Sequence, residues 1–166
     1  MKSLNITGFL IFLLLITSEV NAQLNSVEAF DKMKSLVGIW NKAEGKSTNF
    51  SVSFELIANN SVLVETWMRN DKKHSLTLYH LDNENLIATH YCPQGNQPRL
   101  RLAKDSPISN LRFSFFDATN LTNFAKSHQH SLGFEFSKDI NIILRKESYI
   151  SSGDEDFSEM ILVRTK

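Results

Sequence analysis

Histidine and cysteine side chains, which serve as nucleophiles and transition-metal ligands, cluster at two places in this sequence. His90 and Cys92 stand two positions apart in the first cluster, and His128 and His130 stand two positions apart in the second. Residues i and i+2 of an extended strand point to the same face. Each pair can therefore project from one face of a strand, where neutral imidazole and thiolate could bind zinc, copper or haem iron.

The neighbours of both pairs indicate that these faces point into a core. Leu86 and Ala88 precede His90 with the same spacing, and an alternating apolar row follows His128 as far as Phe136. We therefore expect both pairs to face inward. Three interpretations remain open: a polar pocket whose histidines are hydrogen-bonded, a metal or haem site, and plain core packing, since buried polar groups need partners.

A stiff polar loop, residues 93–98, follows the first pair. A proline at each end fixes φ there, and Gly95 can adopt a positive φ. The loop is either a rigid connection between strands or a mouth that presents Asn96, Gln97 and Arg99 to a polar group of a ligand.

The elements that must position these residues are predicted by an apolar–polar alternation with a period of two. Short alternating segments follow one another from residue 50 onward, separated by turn residues such as Asn70-Asp71. Trp67 and Tyr79 lie in two of these segments and could line the pocket or simply fill it. Successive hairpins without long crossovers predict an all-β, antiparallel up-and-down barrel of about 8–10 strands.

The register of one hairpin decides which way His80 points. If Leu81 pairs with Leu86 across the intervening turn, His80 lies on the opposite face from His90. A one-residue bulge would reverse that arrangement.

The N-terminal residues 1–22 have the pattern of a secretory signal peptide, with Lys2, an apolar run over residues 8–16 and the ending Val20-Asn21-Ala22. The apolar run is shorter than the roughly 20 residues of a membrane span. We therefore predict cleavage before Gln23, one domain over residues 23–166, a secreted or periplasmic location, and no membrane association after cleavage. A short helix is predicted over residues 25–36, with Asn25 as its N-cap.

Composition narrows the classes of partner. Lys plus Arg and Asp plus Glu both number 18 in the 166 residues, so the formal net charge is zero. A neutral chain lacks the electrostatic footprint of a nucleic-acid-binding protein. Cys92 is the only cysteine, so an intrachain disulfide is impossible.

A predicted helix leading into Gly38-Ile39-Trp40, a series of hairpin-linked strands and a late arginine give the chain a recognisable pattern. In this it resembles the lipocalin-like, or calycin, superfamily of ligand-binding barrels. The resemblance implies that Trp40 closes one end of the barrel. It also implies that Arg164, or alternatively Arg145, packs across that tryptophan.

A closer resemblance rests on three motifs: T-H-Y-C-P-Q-G-N-Q-P at residues 89–98, F-F-D-A-T-N-L at 115–121 and H-Q-H-S at 128–131. In these motifs the chain is similar to uncharacterised bacterial secreted proteins, over most of its length after residue 22. That group implies no particular activity.

The leading functional hypothesis is a barrel that binds a small, partly apolar ligand. Inward-facing His90, His128 and His130 would form the polar end of its cavity, with Asn96 and Gln97 near the rim. No cofactor is specified by the pattern, although a transition metal such as zinc, or haem, fits the residue types.

A metal-assisted or Cys/His-dependent enzyme on the same barrel is the alternative hypothesis. His90, Cys92, His128 and His130 would then share an ion, or Cys92 would be a nucleophile activated by one of the later histidines. The G-x-S-x-G and H-E-x-x-H motifs are absent. A third hypothesis, a partner-binding module, requires a large apolar patch outside the barrel, which the alternation does not indicate.

Overall fold

The computed structural model describes residues 24–43 and 49–165. The predicted signal peptide, residues 1–22, lies outside the described residues. The elements are α1 (Ser26–Lys34), β1 (Gly38–Lys42), β2 (Phe50–Ile57), β3 (Val62–Arg69), β4 (Lys72–Asp82), β5 (Asn85–Tyr91), β6 (Gln97–Leu102), β7 (Asn110–Thr119), β8 (His128–Phe136), β9 (Ile142–Ser151) and β10 (Asp154–Arg164).

The described strands form a closed barrel in which each strand pairs antiparallel with the next and β10 pairs with β1. The predicted all-β up-and-down barrel with a short N-terminal helix is therefore confirmed. The hairpin between β3 and β4 turns through Asn70-Asp71, where both residues have a positive φ. That conformation matches the twist of the flanking strands, and asparagine and aspartate tolerate it well.

The hairpin between β4 and β5 has the register that turns His80 to the opposite face from His90. Leu81 pairs with Leu86, and His80 pairs with Ile87. Thr77, three positions earlier in β4, pairs with His90. The faces of the two histidines are therefore opposite, as expected for a hairpin without a bulge.

Helix α1 begins where the Asn25 side chain accepts a hydrogen bond from the backbone N–H of Val27 at 2.8 Å. That bond satisfies one of the amide groups left free in the first turn. The helix buries Ala29, Phe30 and Met33 against the barrel. It is therefore an amphipathic cap across one end, which we call the closed end.

Trp40 lies fully buried at the closed end, and its indole N–H donates to the carbonyl of Leu36 at 2.7 Å. The guanidinium of Arg164 lies 4.3 Å from the centre of the Trp40 ring and donates to the backbone carbonyls of Ser35 and Val37. Gly38, with φ of 133°, allows this approach, since a Cβ there would lie 2.9 Å from an Arg164 nitrogen. Of the two arginines suggested for this position, Arg164 occupies it.

The barrel interior divides into an apolar half and a polar half. Near the closed end the buried side chains are aliphatic or aromatic, as at Leu86, Leu111 and Phe134. Toward the other end, which we call the open end, one row across β3, β4 and β5 reads Glu65, Thr77, His90 and is completely or almost completely buried. The open half therefore has buried polar side chains in the interior, where a barrel of this size is usually filled by apolar ones.

Because β3 and β4 turn polar side chains inward, several of their apolar side chains lie on the outer face. Val64 pairs with Leu78 there and Thr66 with Leu76, and all four residues are partly exposed. Glu65 and Thr77, on the inner face, have no exposed surface. Alternation alone is symmetric and does not say which face is inside.

Candidate functional site at the open end of the barrel

A buried ion network forms the floor of the open half. The Arg145 guanidinium donates through Nε to Glu65 Oε1 at 2.9 Å and through Nη1 to Glu147 Oε2 at 2.7 Å. Arg145 is 1% exposed, and Glu65 is fully buried. The guanidinium also lies 4.6 Å from the centre of the Trp67 ring, a cation–π distance.

Tyrosine and tryptophan side chains complete the hydrogen bonding of Glu65. Tyr79 Oη donates to Glu65 Oε2, and the Trp67 indole N–H donates to Oε1. Tyr79 has no exposed surface. Of the two aromatic residues suggested for the pocket, Tyr79 therefore fills the core beneath it and orients a carboxylate.

The charges of this network hold its members in defined protonation states. Burial alone would lower the pKa of Arg145, but the Glu65 and Glu147 carboxylates outweigh it and raise the pKa. Burial alone would raise the pKa of Glu147, but Arg145 outweighs it and lowers the pKa. Glu147 is therefore an anion and Arg145 a cation at neutral pH.

His90 lies beside this network and is held neutral. Its Nδ1 is 2.9 Å from Thr77 Oγ1, and its Nε2 is 3.2 Å from Tyr149 Oη. Burial, and then the positive charge of Arg145, lower the pKa of His90 to about 4. Burial, and then the negative charge of Glu147, raise the pKa of Tyr149. Both groups are therefore uncharged hydrogen-bonding groups at neutral pH.

A cavity of about 270 Å³ opens above these side chains. Trp67 and Glu147 line it and also contact Arg145, so the cavity adjoins the buried ion network. His90 and Tyr149 form another part of its wall. The remaining lining residues are Arg69, His74, Ser75, Pro93 and Gln94. We call this cavity the barrel pocket.

A β-bulge changes the inner face of β8. Gln129 pairs with Tyr149 and Ser131 with Ser148, so His130 is an extra residue between them. The Gln129 amide N–H donates to Glu147 Oε2 at 3.1 Å. The row from His128 to Phe136, expected to alternate without interruption, is therefore broken, and Gln129 takes an inward position that the sequence pattern assigned to the other face.

His128 and His130 surround an aromatic side chain rather than joining His90. The ring centroid of Phe115 lies 4.8 Å from that of His128 and 5.7 Å from that of His130. His128 Nδ1 is 2.7 Å from the carbonyl oxygen of Lys126. His130 Nδ1 is buried and has no hydrogen-bond partner among the described residues.

The predicted metal ligands are thus divided. His90 borders the barrel pocket, while the two later histidines lie around Phe115. Within residues 24–43 and 49–165, no three His, Cys, Asp or Glu side chains come together so that they could hold a metal ion. The structure does not bring His90, Cys92, His128 and His130 to one point.

Cys92 is 7% exposed, and its thiol donates to Gln94 Oε1. Burial raises the pKa of this thiol. The protonated thiol is a weak nucleophile and a poor metal ligand. Cys92 therefore has the character of a small buried side chain beside the pocket.

The loop after Cys92 turns Asn96 and Gln97 away from the barrel pocket. Asn96 borders a separate cavity of about 460 Å³. Gln97 begins β6, where its Oε1 accepts from Thr119 Oγ1 at 2.6 Å and its Nε2 donates to the Gly95 carbonyl at 3.2 Å. Pro93 and Gln94, rather than these two residues, form the part of the pocket wall that comes from this loop.

The sequence pattern did not single out five residues of this site: Glu65, Gln129, Arg145, Glu147 and Tyr149. A signal exists for some of them: Arg145, Glu147 and Tyr149 continue the spacing of buried Ile143 along one face of β9. A charged pair at core positions of a strand is uncommon and suggests a partner inside. For Gln129 no such signal exists, because a bulge placed it.

The described residues include no helix long and apolar enough to cross a membrane. Comparison of the chain with protein-family models and with curated proteins gave no match.

Proposed function

We propose that this protein binds a small, partly apolar ligand in the barrel pocket, as an exported lipocalin-like carrier or sensor rather than as an enzyme. The single observation that carries the proposal is the Glu65–Arg145–Glu147 network buried directly beneath an open cavity. Burying such a network costs more free energy than apolar packing of the same volume. Retaining it beside a cavity is typical of a binding site.

The wall of the pocket specifies the chemistry of the ligand. Trp67 supplies an aromatic surface, and His90 and Tyr149 supply neutral hydrogen-bonding groups. Glu147 also lines the pocket, and its carboxylate supplies hydrogen-bond acceptors. A ligand with an apolar body and a hydrogen-bond donor directed at Glu147 fits this wall.

The size of the pocket restricts the ligand further. A volume of about 270 Å³ lies just below the usual range of small-molecule sites, roughly 300–1,000 Å³. The ligand should therefore be smaller than a typical drug molecule.

The closed end supports the lipocalin-like assignment. Arg164 packs over Trp40 beside Gly38, which is the arrangement that the resemblance implied. Export, into the periplasm or out of the cell, is proposed on the pattern of residues 1–22.

The enzyme hypothesis receives less support from the geometry. The thiol of Cys92 is protonated and bonded to Gln94, and the imidazoles of His128 and His130 contact Phe115. A thiol nucleophile needs a base within hydrogen-bonding distance.

Native mass spectrometry of gently purified protein tests the proposal. We expect a retained small molecule, or binding of members of a fragment library where the protein is purified empty. Tyr149→Phe should reduce occupancy, because it removes the Oη that bonds His90 at the pocket wall. Tyr91→Phe, at a tyrosine that is 45% exposed and does not line the pocket, is the matched control. No bound molecule in any sample, or equal loss in both variants, would contradict the proposal.

A further inference from the structure

A second cavity, of about 460 Å³, lies between the loop after Cys92 and residues 120–127. Its volume is within the usual range of small-molecule sites. Its polar lining comes from Gln94, Asn96, Asn120, Thr122, Lys126 and Ser127. We call it the amide pocket, because three of these six residues are carboxamides.

The two walls of the amide pocket are tied together by hydrogen bonds. Asn120 Nδ2 donates to the Gly95 carbonyl at 2.6 Å, and Asn96 Nδ2 donates to the Ser127 carbonyl at 2.8 Å. Each carbonyl can only accept, so each amide must turn its NH₂ group toward it. The orientations of both carboxamides are therefore determined.

Asn96 has an unmet hydrogen-bonding requirement. The residue is 5% exposed, and its Oδ1 is buried without a hydrogen-bond partner among the described residues. Leaving a buried acceptor unpaired is costly, so native structures usually provide a partner, bound water or ligand. Asn96 lines the cavity, but its Oδ1 has almost no surface open to it, so the hydrogen-bonding groups available to a ligand are those of the other lining residues.

The lining is a mixture of donors and acceptors with a single charge. The carboxamides and the Thr122 and Ser127 hydroxyls can both donate and accept, and Lys126 supplies an ammonium. Among the described residues, no carboxylate lines the cavity, which disfavours a divalent cation as the occupant. A ligand rich in hydroxyl groups matches this lining, because each hydroxyl both donates and accepts.

We propose that the amide pocket is a binding site for a saccharide unit. It is independent of the ligand proposed for the barrel pocket, and Gln94 is the residue that lines both cavities. Lys126 Nζ bonds to Thr122 Oγ1 at 3.2 Å, and its other N–H groups can reach an anionic substituent. An acidic sugar should therefore bind more tightly than a neutral one.

Saturation-transfer NMR with glucose, galactose, N-acetylglucosamine and glucuronic acid tests this proposal, at up to about 10 mM so that millimolar dissociation constants are detected. We expect transfer to at least one sugar, with the tightest binding by glucuronic acid. Thr122→Val should weaken binding of every sugar, and Lys126→Met should weaken glucuronic acid by about tenfold, the scale of a single charged hydrogen bond. Both residues are exposed, so the variants should fold normally. Lys138→Met, at an exposed lysine elsewhere, is the matched control.

The location of binding is read from side-chain amide signals in the ¹H–¹⁵N spectrum. We expect the NH₂ signals of Asn96 and Asn120 to shift on addition of the sugar, while the indole N–H signal of Trp67 in the barrel pocket stays in place. The proposal is overturned if none of the four sugars shows transfer. It is equally overturned if the Thr122 and Lys126 variants bind like Lys138→Met, or if Trp67 shifts and the two asparagines do not.

Discussion

Two arginines in this barrel each lie over a tryptophan ring, one near each end. Arg164 lies 4.3 Å from the Trp40 ring centre, and Arg145 lies 4.6 Å from the Trp67 ring centre. Arg164 donates to backbone carbonyls and so joins the helix to the barrel. Arg145 donates to two carboxylates beneath a cavity. A contact between an arginine and a tryptophan thus closes one end of the barrel, and a second contact of the same kind, we propose, supports a binding site at the other end.

The different partners explain the different consequences. A backbone carbonyl carries no net charge, and water can replace the arginine where the end is partly exposed. A buried carboxylate without its counterion has no such substitute. Loss of the arginine should therefore lower the free energy of unfolding more in the polar half than at the closed end. The contribution of the polar half to that free energy should also depend on pH.

Arg145→Met should give the largest loss of stability. It leaves Glu65 and Glu147 without their shared cation, and breaking a buried ion pair in this way costs about 3–5 kcal/mol. Urea unfolding followed by circular dichroism measures the change. The triple variant that also carries Glu65→Gln and Glu147→Gln should recover part of the loss. A cost below about 1 kcal/mol for Arg145→Met would mean that the network is not buried as described.

Acid should weaken the open half through His90. Its pKa falls from 6.5 to about 4 on folding, so the unfolded chain binds more protons between these values. The stability due to neutral His90 is complete above pH 6.5 and is lost as the pH falls toward 4, by up to about 3 kcal/mol. The free energy of unfolding of the wild-type protein, measured across this window, should fall more steeply than that of His90→Gln. Parallel curves for the two proteins would refute the assignment.

Arg164→Met should have a smaller effect, about 1–2 kcal/mol, because it removes hydrogen bonds to carbonyls that water can reach in its place. Thermal unfolding measures this loss. Ligand binding in the barrel pocket should not change, because Arg164 lies at the opposite end. A loss as large as that of Arg145→Met would remove the distinction between the two arginines.

Local alternation predicted the elements of the fold, and the pairing of consecutive hairpins predicted the barrel. Asn25 caps the helix, and His80 pairs with Ile87, as the hairpin register required. These features depend on residues that are close in sequence. The contact between Arg164 and Trp40 joins distant residues and was suggested by the resemblance alone.

The candidate site was only partly predictable, because it depends on contacts between strands that are distant in sequence. His90 and Trp67 line the pocket, but the partners of Arg145 include Glu65, 80 residues away. The bulge at His130 inverts the expected face of Gln129, and nothing in the alternation signals it. With this bulge in β8, His128 and His130 lie around Phe115, whereas the hypothesis had placed them in one cavity with His90.

The indole N–H signals of the two tryptophans test the central claim most directly, because the chain has only Trp40 and Trp67. Their assignment in a ¹H–¹⁵N spectrum follows from Trp40→Phe and Trp67→Phe. During titration with a small, partly apolar fragment that binds, we expect the Trp67 signal to shift and the Trp40 signal to remain in place. A shift of Trp40 alone, or binding that moves neither signal, would contradict the placement of the ligand site above Arg145.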